Sequence, residues 1–307
     1  MQDNNRVKFT VSIGIPAYNE EANIGYLLND LLAQKEEGYT LEKIYVYSDG
    51  STDTTEEVVR DALDERIELI VGSGRMGAAY GQNILMKVTQ SDILVMLNAD
   101  IQISDEYFIQ KLIKPLINGD AELSSVKHEP LPARNFFESI LVTSVELKSV
   151  LFETYNGGKN TYTCHGSARA FSKKLYKEII FEKSVGEDAY SYLYCIFHGY
   201  RYNYVQDTEI HYRLPNSFTD HKSQSTRFFK GKSNFGDVFG EEFVYQTMKI
   251  PGFVYLVASI KAIPLILRKP ITVGVYISLV FWLRIQAFFG GTVSETWEIA
   301  TSSKKLQ

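Results

Sequence analysis

Four short apolar runs set the strongest constraint on this chain: VSIGI at residues 11–15, IYVY at 44–47, IELIV at 67–71 and ILVML at 93–97. Each pair is separated by a mixed segment long enough for a helix. Runs of four or five mainly apolar residues suit strands buried on both faces, and helical crossovers between such strands make neighbours parallel. The first third of the sequence therefore predicts an α/β fold with a doubly wound, mostly parallel sheet. Asn19 is expected to cap a helix that starts with Glu20 and Glu21. A second helix should follow SDGSTD to about residue 63, a third the glycine stretch to Val88, and a fourth should run from a Ser104 cap to Ile117.

Sheets of this type bind ligands beyond the carboxyl ends of their strands. Tyr18, Asp49, the loop at residues 72–77 and Asp100 all fall on that edge. The loop reads GSGRMG, a G-x-G-x-x-G pattern, and Asp100 follows at about the 20-residue interval of a dinucleotide-binding fingerprint. That fingerprint belongs to the first βα turn, however. Here the first turn is PAYNEE, without glycine, and the glycines follow the third strand. An NAD-dependent oxidoreductase is thus the weaker reading.

Beyond residue 120 the rhythm changes. Residues 135–154 predict an amphipathic helix, NGG at 156–158 a break, and Gly186-Glu187-Asp188 precedes the apolar run AYSYLYCIF. Beyond Pro251 come two apolar stretches, residues 251–267 and 271–291. We therefore divide the chain into residues 1–120, residues 121–240 and an apolar helical segment (241–307). With 45% hydrophobic and 22% charged residues the chain is a folded globular protein. A net charge of -5 gives no basis for a nucleic-acid partner. Cys164 and Cys195 make no disulfide framework, and no His/Cys cluster has zinc spacing.

The acidic residues admit two chemistries each. Asp49 fits a turn, or it accepts from a base or ribose donor. Asp100 fits a helix cap, or it holds Mg²⁺ or Mn²⁺ with help from phosphate oxygens. Glu187 and Asp188 compensate a helix dipole, or one carboxylate takes a proton from an acceptor hydroxyl. Arg227, among Lys222, Lys230 and Lys232, belongs to a solvated face, or forks onto a diphosphate.

Taken in order, VSIGIPAYNEEANI, SDGSTD, the glycine loop, NAD, GED and QSTRF resemble the family 2 glycosyltransferases over about residues 8–232. The resemblance implies a GT-A-like fold, a nucleotide-diphosphate sugar donor, a divalent cation and transfer to a glycan or lipid-linked acceptor, as in cell-envelope glycan synthesis. It assigns Pro16, Ala17, Tyr18, Glu20, Asp49, Arg75, Gly77, Asn83 and Asn98 to the donor. Asp100, with His211 as a further candidate, goes to the metal. Asp188 becomes the general base of an inverting reaction, while Glu187, Gln224 and Arg227 lie by the acceptor and diphosphate. Three positions depart from the family pattern: Ser48 and Asn98 each replace an acid, and Phe228 replaces a tryptophan. Asn98 and Phe228 keep open a catalytically degenerate, nucleotide-binding membrane scaffold.

The C-terminal stretches predict membrane association. Residues 271–291 are long enough to span, although Arg284 would cost about 2.5–3.5 kcal/mol at a bilayer centre. Lys261 and Arg268 are seven residues apart, so residues 251–267 read as an interfacial helix with a basic stripe. The N-terminus, MQDNNRVKFTV, lacks the apolar core of a signal peptide. The expected location is the cytoplasmic face of a membrane, with a soluble cytoplasmic protein as the alternative.

Overall fold

Each of the four apolar runs forms a strand in the computed structural model, which describes residues 9–181, 186–218, 220–221, 235–289 and 306. The order is β1 (Phe9–Ala17), α1 (Ile24–Leu32), β2 (Tyr39–Ser48), α2 (Thr55–Asp61), β3 (Ile67–Val71), α3 (Ala78–Val88), β4 (Ile93–Leu97), β5 (Ile101–Gln102) and α4 (Phe108–Ile117). There follow β6 (Leu123–Pro130), α5 (Phe136–Thr154), β7 (Ala168–Ser172), α6 (Lys173–Glu178), α7 (Glu187–Phe197) and β8 (Tyr202–Tyr212). Five helices complete the described chain: α8 (Phe235–Phe239), α9 (Glu241–Met248), α10 (Gly252–Lys261), α11 (Ile263–Arg268) and α12 (Pro270–Phe289).

The strands make one sheet in the order β3-β2-β1-β4-β7-β6-β8-β5. Pairing is parallel for β2–β3, β1–β2, β1–β4 and β6–β8, and antiparallel for β4–β7, β6–β7 and β5–β8. The chain reverses its lateral direction between β1 and β4, which opens a crevice at their carboxyl ends. Because β7 runs against β4, with Ala168 opposite Leu97, the residues leading into β7 reach this same edge. One core layer joins Ile13, Ile15, Leu27, Leu28, Ile44 and Leu112 under α1 and α4. The other joins Leu85, Leu94, Met96, Leu175 and Leu193 under α3, α6 and α7.

Two expected helix starts move. Asn19 adopts a left-handed backbone (φ 52°) and caps nothing, and α1 begins only at Ile24. Its amide is instead bonded to the neighbouring acidic loop, as described below. Ser104 does not cap α4 either. Residues 101–102 pair with β8 first, and Asp105 then accepts the Tyr107 N–H at 2.9 Å, delaying the helix to Phe108. By contrast Asn135 caps α5, its Oδ1 accepting from Glu138 N–H at 2.8 Å.

The stretch at 251–267 is not one helix. Pro264 stands in the first turn of α11, where its missing N–H and fixed φ start a new helix after α10 ends at Lys261. α10 and α12 both lie on α5. Thr143 Oγ1 bonds Thr272 Oγ1 at 2.9 Å, and Lys269 Nζ lies 2.7 Å from both Glu146 carboxylate oxygens. Among the described residues no helix is long and apolar enough to cross a membrane, so the spanning alternative has no support there.

Candidate active site

The turns after β1 and β2 are laced together by short polar side chains. Asn19 N–H donates to Ser51 Oγ at 3.2 Å, and Asn19 Oδ1 accepts the Thr52 N–H at 2.8 Å. Glu20 N–H donates to Thr55 Oγ1 at 2.7 Å, while the Glu21 carboxylate accepts from Thr54 N–H at 3.0 Å. Glu20 itself is buried, and its carboxylate accepts from Asn23 Nδ2 at 3.0 Å. Pro16 and Ala17 end β1 opposite Tyr47 and Ser48, and the Ala17 carbonyl accepts the Asp49 N–H at 2.9 Å.

Asp49 then organises the glycine loop. Its Oδ1 accepts from Met76 N–H and its Oδ2 from Gly77 N–H, both at 2.8 Å. The loop lies so close to the β2 turn that a Cβ on Gly50 (φ 74°) would meet the Gly74 carbonyl carbon at 2.9 Å. A Cβ on Gly72 would be 2.5 Å from the Tyr47 hydroxyl. Gly50 and Gly72 are therefore required for loop-on-turn packing, whereas Gly77 (φ 94°) is favoured by its backbone conformation. The loop carries Arg75 with its guanidinium 4.3 Å from the centre of the Tyr18 ring, a cation–π stack at the rim of the crevice. Asn83, further along α3, gives both ends of its amide to the Phe181 backbone, at 2.8 and 2.9 Å.

The second half of the sheet reaches this edge through the segment before β7. Asn98 N–H donates to the Ser167 carbonyl at 3.0 Å, and its Nδ2 lies 3.4 Å from Ser167 Oγ. Next to Ser167, Gly166 faces α7: a Cβ there would stand 3.6 Å from the Asp188 Cβ, an ordinary contact distance. Asp188 is partly exposed at the first turn of α7, and its Oδ1 accepts its neighbour Ala189 N–H at 2.7 Å. The chain of contacts from Asp188 through Gly166 and Ser167 thus ends at Asn98, two residues before the partly exposed Asp100. Glu187 has its pKa raised, first by burial, against the lowering effects of the Ala79 N–H and of Arg169. That contact with Ala79 brings the Glu187-Asp188 pair back to the helix that follows the glycine loop.

Arg169 was not marked by any motif, yet it ties the two halves together. It is fully buried. One guanidinium nitrogen donates to the Glu187 carbonyl at 2.8 Å and to Ser191 Oγ, and the other donates to Gln82 Oε1 at 2.8 Å. Phe171 and Phe181 lie 5.3 and 5.8 Å from it at their ring centres. Its sequence signal is an arginine inside a short, otherwise buried strand, ARAFS. Arg213, just past the end of β8, also has a nearly buried guanidinium: its Nη1 is 3.1 Å from Glu138 Oε1 and donates to the Pro132 carbonyl at 2.7 Å.

His211 stands in β8 opposite Gln102 of β5 and Glu129 of β6. It lines a groove with Ser104, Asp105, Gln206, Asp207, Thr208 and Glu209, its Nε2 3.4 Å from Glu209 Oε1. Among the described residues no three of His, Cys, Asp and Glu come together as a metal cage would require. Gln224, Arg227, Phe228 and the lysines at 222, 230 and 232 lie outside the described residues.

Comparison with known proteins bears on the family and the fold. The chain is 28% identical over 185 residues to the undecaprenyl-phosphate 4-deoxy-4-formamido-L-arabinose transferase of Shewanella sediminis, covering 59% of this chain and 53% of that one. It is 29% identical over 109 residues to the 4,4'-diaponeurosporenoate glycosyltransferase of Staphylococcus haemolyticus, covering 34% and 28% of the two chains. The chain thus spans about half the length of these curated relatives, or less. Among solved structures, a mannosyltransferase of Pyrobaculum calidifontis in complex with GDP-Man and Mn²⁺ superposes with a TM-score of 0.58 at 19% identity, over 92% of this chain and 76% of that one. Glucosyl-3-phosphoglycerate synthase of Mycobacterium tuberculosis superposes with a TM-score of 0.53 at 17% identity, over 76% and 80%. These likenesses carry the GT-A fold. The family models "Glycosyl transferase family 2" and "Glycosyl transferase family group 2" match residues 12–180 and 115–297. The first covers more than half of the sequence, and the chain belongs to glycosyltransferase family 2.

Proposed function

We propose that the protein transfers a sugar from a nucleotide-diphosphate donor to an acceptor hydroxyl with inversion, at a membrane surface. The observation that carries the reading is the meeting of two distant segments at one sheet edge. The Asp49-held glycine loop supplies a stacked Tyr18–Arg75 pair, and the Gly166–Ser167 turn sets Asp188 beside the end of β4. Tyr18 offers an aromatic face to a base, and Arg75 offers a cation to the diphosphate. Asp188, partly exposed and with one oxygen held by Ala189, keeps the other available for the acceptor proton.

A divalent cation fits the residues present. Asp100 offers one carboxylate at the carboxyl end of β4, and Mg²⁺ or Mn²⁺ is commonly held by one or two carboxylates completed by substrate phosphates. The structures of similar fold contain Mn²⁺ with GDP-Man and with UDP. When bound, the cation would stabilise the departing diphosphate.

The membrane component rests on the outer face of the C-terminal helices. In α10, Phe253, Leu256, Val257 and Ile260 are exposed at helical spacing while Val254 and Ala258 are buried. Leu267, Ile271, Ile277 and Phe281 continue the exposed apolar surface, and Lys261 and Arg268 stand on it. Apolar area of this extent, edged by cations, suits insertion to interfacial depth in an anionic leaflet. A lipid-linked acceptor follows from that location, and the relative named for undecaprenyl phosphate favours the same class.

The test is a panel of UDP-, GDP- and dTDP-sugars titrated with and without Mn²⁺, followed by release of nucleotide diphosphate. Metal-dependent micromolar binding of one donor with slow hydrolysis is expected. Tight NAD binding, or donor binding with no turnover, would sink the transferase reading.

A further inference from the structure

Beside Asp188 stands a pair of imidazoles that the scheme above leaves unused. His128 near the end of β6 and His165 before β7 stack with ring centres 4.1 Å apart and planes at 26°. The Tyr212 ring is 5.9 Å from His128. His128 is only 8% exposed, and its Nε2 is buried with no hydrogen-bond partner among the described residues. His165 is partly exposed, and its neighbour Gly166 lies against Asp188.

Packing alone does not explain these residues. A phenylalanine at 128 would stack equally well without leaving a ring nitrogen unsatisfied, so the imidazole is retained at a cost. Burial lowers the pKa of both rings. For His128 the neighbouring His165 and Arg169 lower it further, whereas Asp188 raises that of His165. Both rings are thereby kept neutral, and a neutral imidazole offers one donor and one acceptor. A hydroxyl can meet either ring nitrogen, accepting from the N–H or donating to the lone pair. A phosphate or a carboxylate can meet only the N–H, and without the positive charge that an imidazolium would add.

We propose that His165 binds the acceptor through a second hydroxyl next to the one that Asp188 deprotonates, with His128 as the positioning residue that sets the plane of the His165 ring. The acceptor is accordingly a sugar-bearing molecule with neighbouring hydroxyls, and not a simple alcohol. The inference rests on the transferase reading and specifies its acceptor.

The experiment uses the full chain, the donor selected by the nucleotide panel, and octyl glycosides of several hexoses as acceptor probes, with 1-octanol as the monohydric control. The wild type should transfer to at least one glycoside in preference to octanol. His165→Ala should raise the glycoside KM about tenfold, the loss of one neutral hydrogen bond, and leave donor Kd and donor hydrolysis within about twofold. His165→Gln, which keeps a donor and an acceptor, should recover part of the loss. His128→Phe should shift the same KM by a smaller factor. An unmoved glycoside KM in His165→Ala overturns the proposal. So does hydrolysis falling in step with transfer in both His165 variants, or wild-type transfer to octanol alone or to no probe. Failure of the transferase reading looks different, because the wild type would then turn over no donor at all.

Discussion

Replacing Asp188 by Asn separates chemistry from structure at the candidate base. The carboxamide has the same shape, and its oxygen can still accept the Ala189 N–H that Asp188 Oδ1 accepts at 2.7 Å. The substitution removes a negative charge from the first turn of α7, worth about 0.3–1 kcal/mol of stability. A positioned general base contributes about 10²–10⁴-fold to rate. The variant should therefore melt within a few degrees of the wild type, bind donor with nearly unchanged Kd, and lose about 10²–10⁴ in kcat for transfer to a hydroxyl. Transfer is followed by release of nucleotide diphosphate with saturating donor, and donor binding by calorimetry. Turnover within about threefold of wild type would remove Asp188 from the base role. It would also point to an acceptor that arrives already ionised, because an oxyanion such as a lipid phosphate needs no base. A parallel loss of donor affinity would place the residue in the donor site instead.

Asp49→Ala should behave in the opposite way: both hydrogen bonds to Met76 and Gly77 vanish, so stability falls by about 1.5–3 kcal/mol and donor affinity falls with it, read from a urea melt and a donor titration. Intact donor binding in a destabilised Asp49→Ala protein would show that the glycine loop does not touch the donor. The triple variant Phe253→Glu, Leu256→Glu, Ile260→Glu alters only exposed positions; sedimentation with phosphatidylglycerol vesicles should be lost with little change in melting temperature, and retained binding would exclude this face. The pH dependence follows from His128, whose pKa is lowered well below 6.5 by burial, then by His165 and Arg169. The unfolded chain then binds the proton that the folded one refuses, so stability is full above about pH 6.5 and falls as pH drops below it. His128→Phe should flatten that fall in thermal melts, and an unchanged slope would mean that the ring is protonated in the folded protein.

The parallel half of the sheet was legible because its signal is local. Each buried strand is a continuous apolar run, and β3 and β4 coincide with the predicted segments. The helix starts at Asn19 and Ser104 were misplaced because capping residues are also turn residues, and here partners remote in sequence compete for them. Asn19 is claimed by Ser51 and Thr52 of the next loop, and the segment after Asp100 by strand pairing with β8. The split of residues 251–267 could have been read from Pro264, which lies inside an otherwise unbroken apolar stretch. The site was legible in its motif positions but not in its wiring. Asp49 was visible as an acid at the carboxyl end of β2, whereas its two bonds to the glycine loop are long-range facts. The stacked histidines are 37 residues apart in sequence (128 and 165), in no motif, and no local pattern joins them.

The wiring carries a consequence for how the two halves of the site act together. Arg169 bonds the Glu187 carbonyl at the head of α7 and Gln82 on α3, while Asp49 bonds the loop from which α3 springs. The candidate base and the donor loop therefore hang from opposite ends of one short, buried polar chain. Its central guanidinium has no exposed surface, so no solvent can take over a lost bond. Lysine could not substitute, since a single ammonium cannot reach α3 and α7 in the planar geometry that a guanidinium offers. A shift of the glycine loop on donor binding would be passed to the first turn of α7 through contacts that are already made.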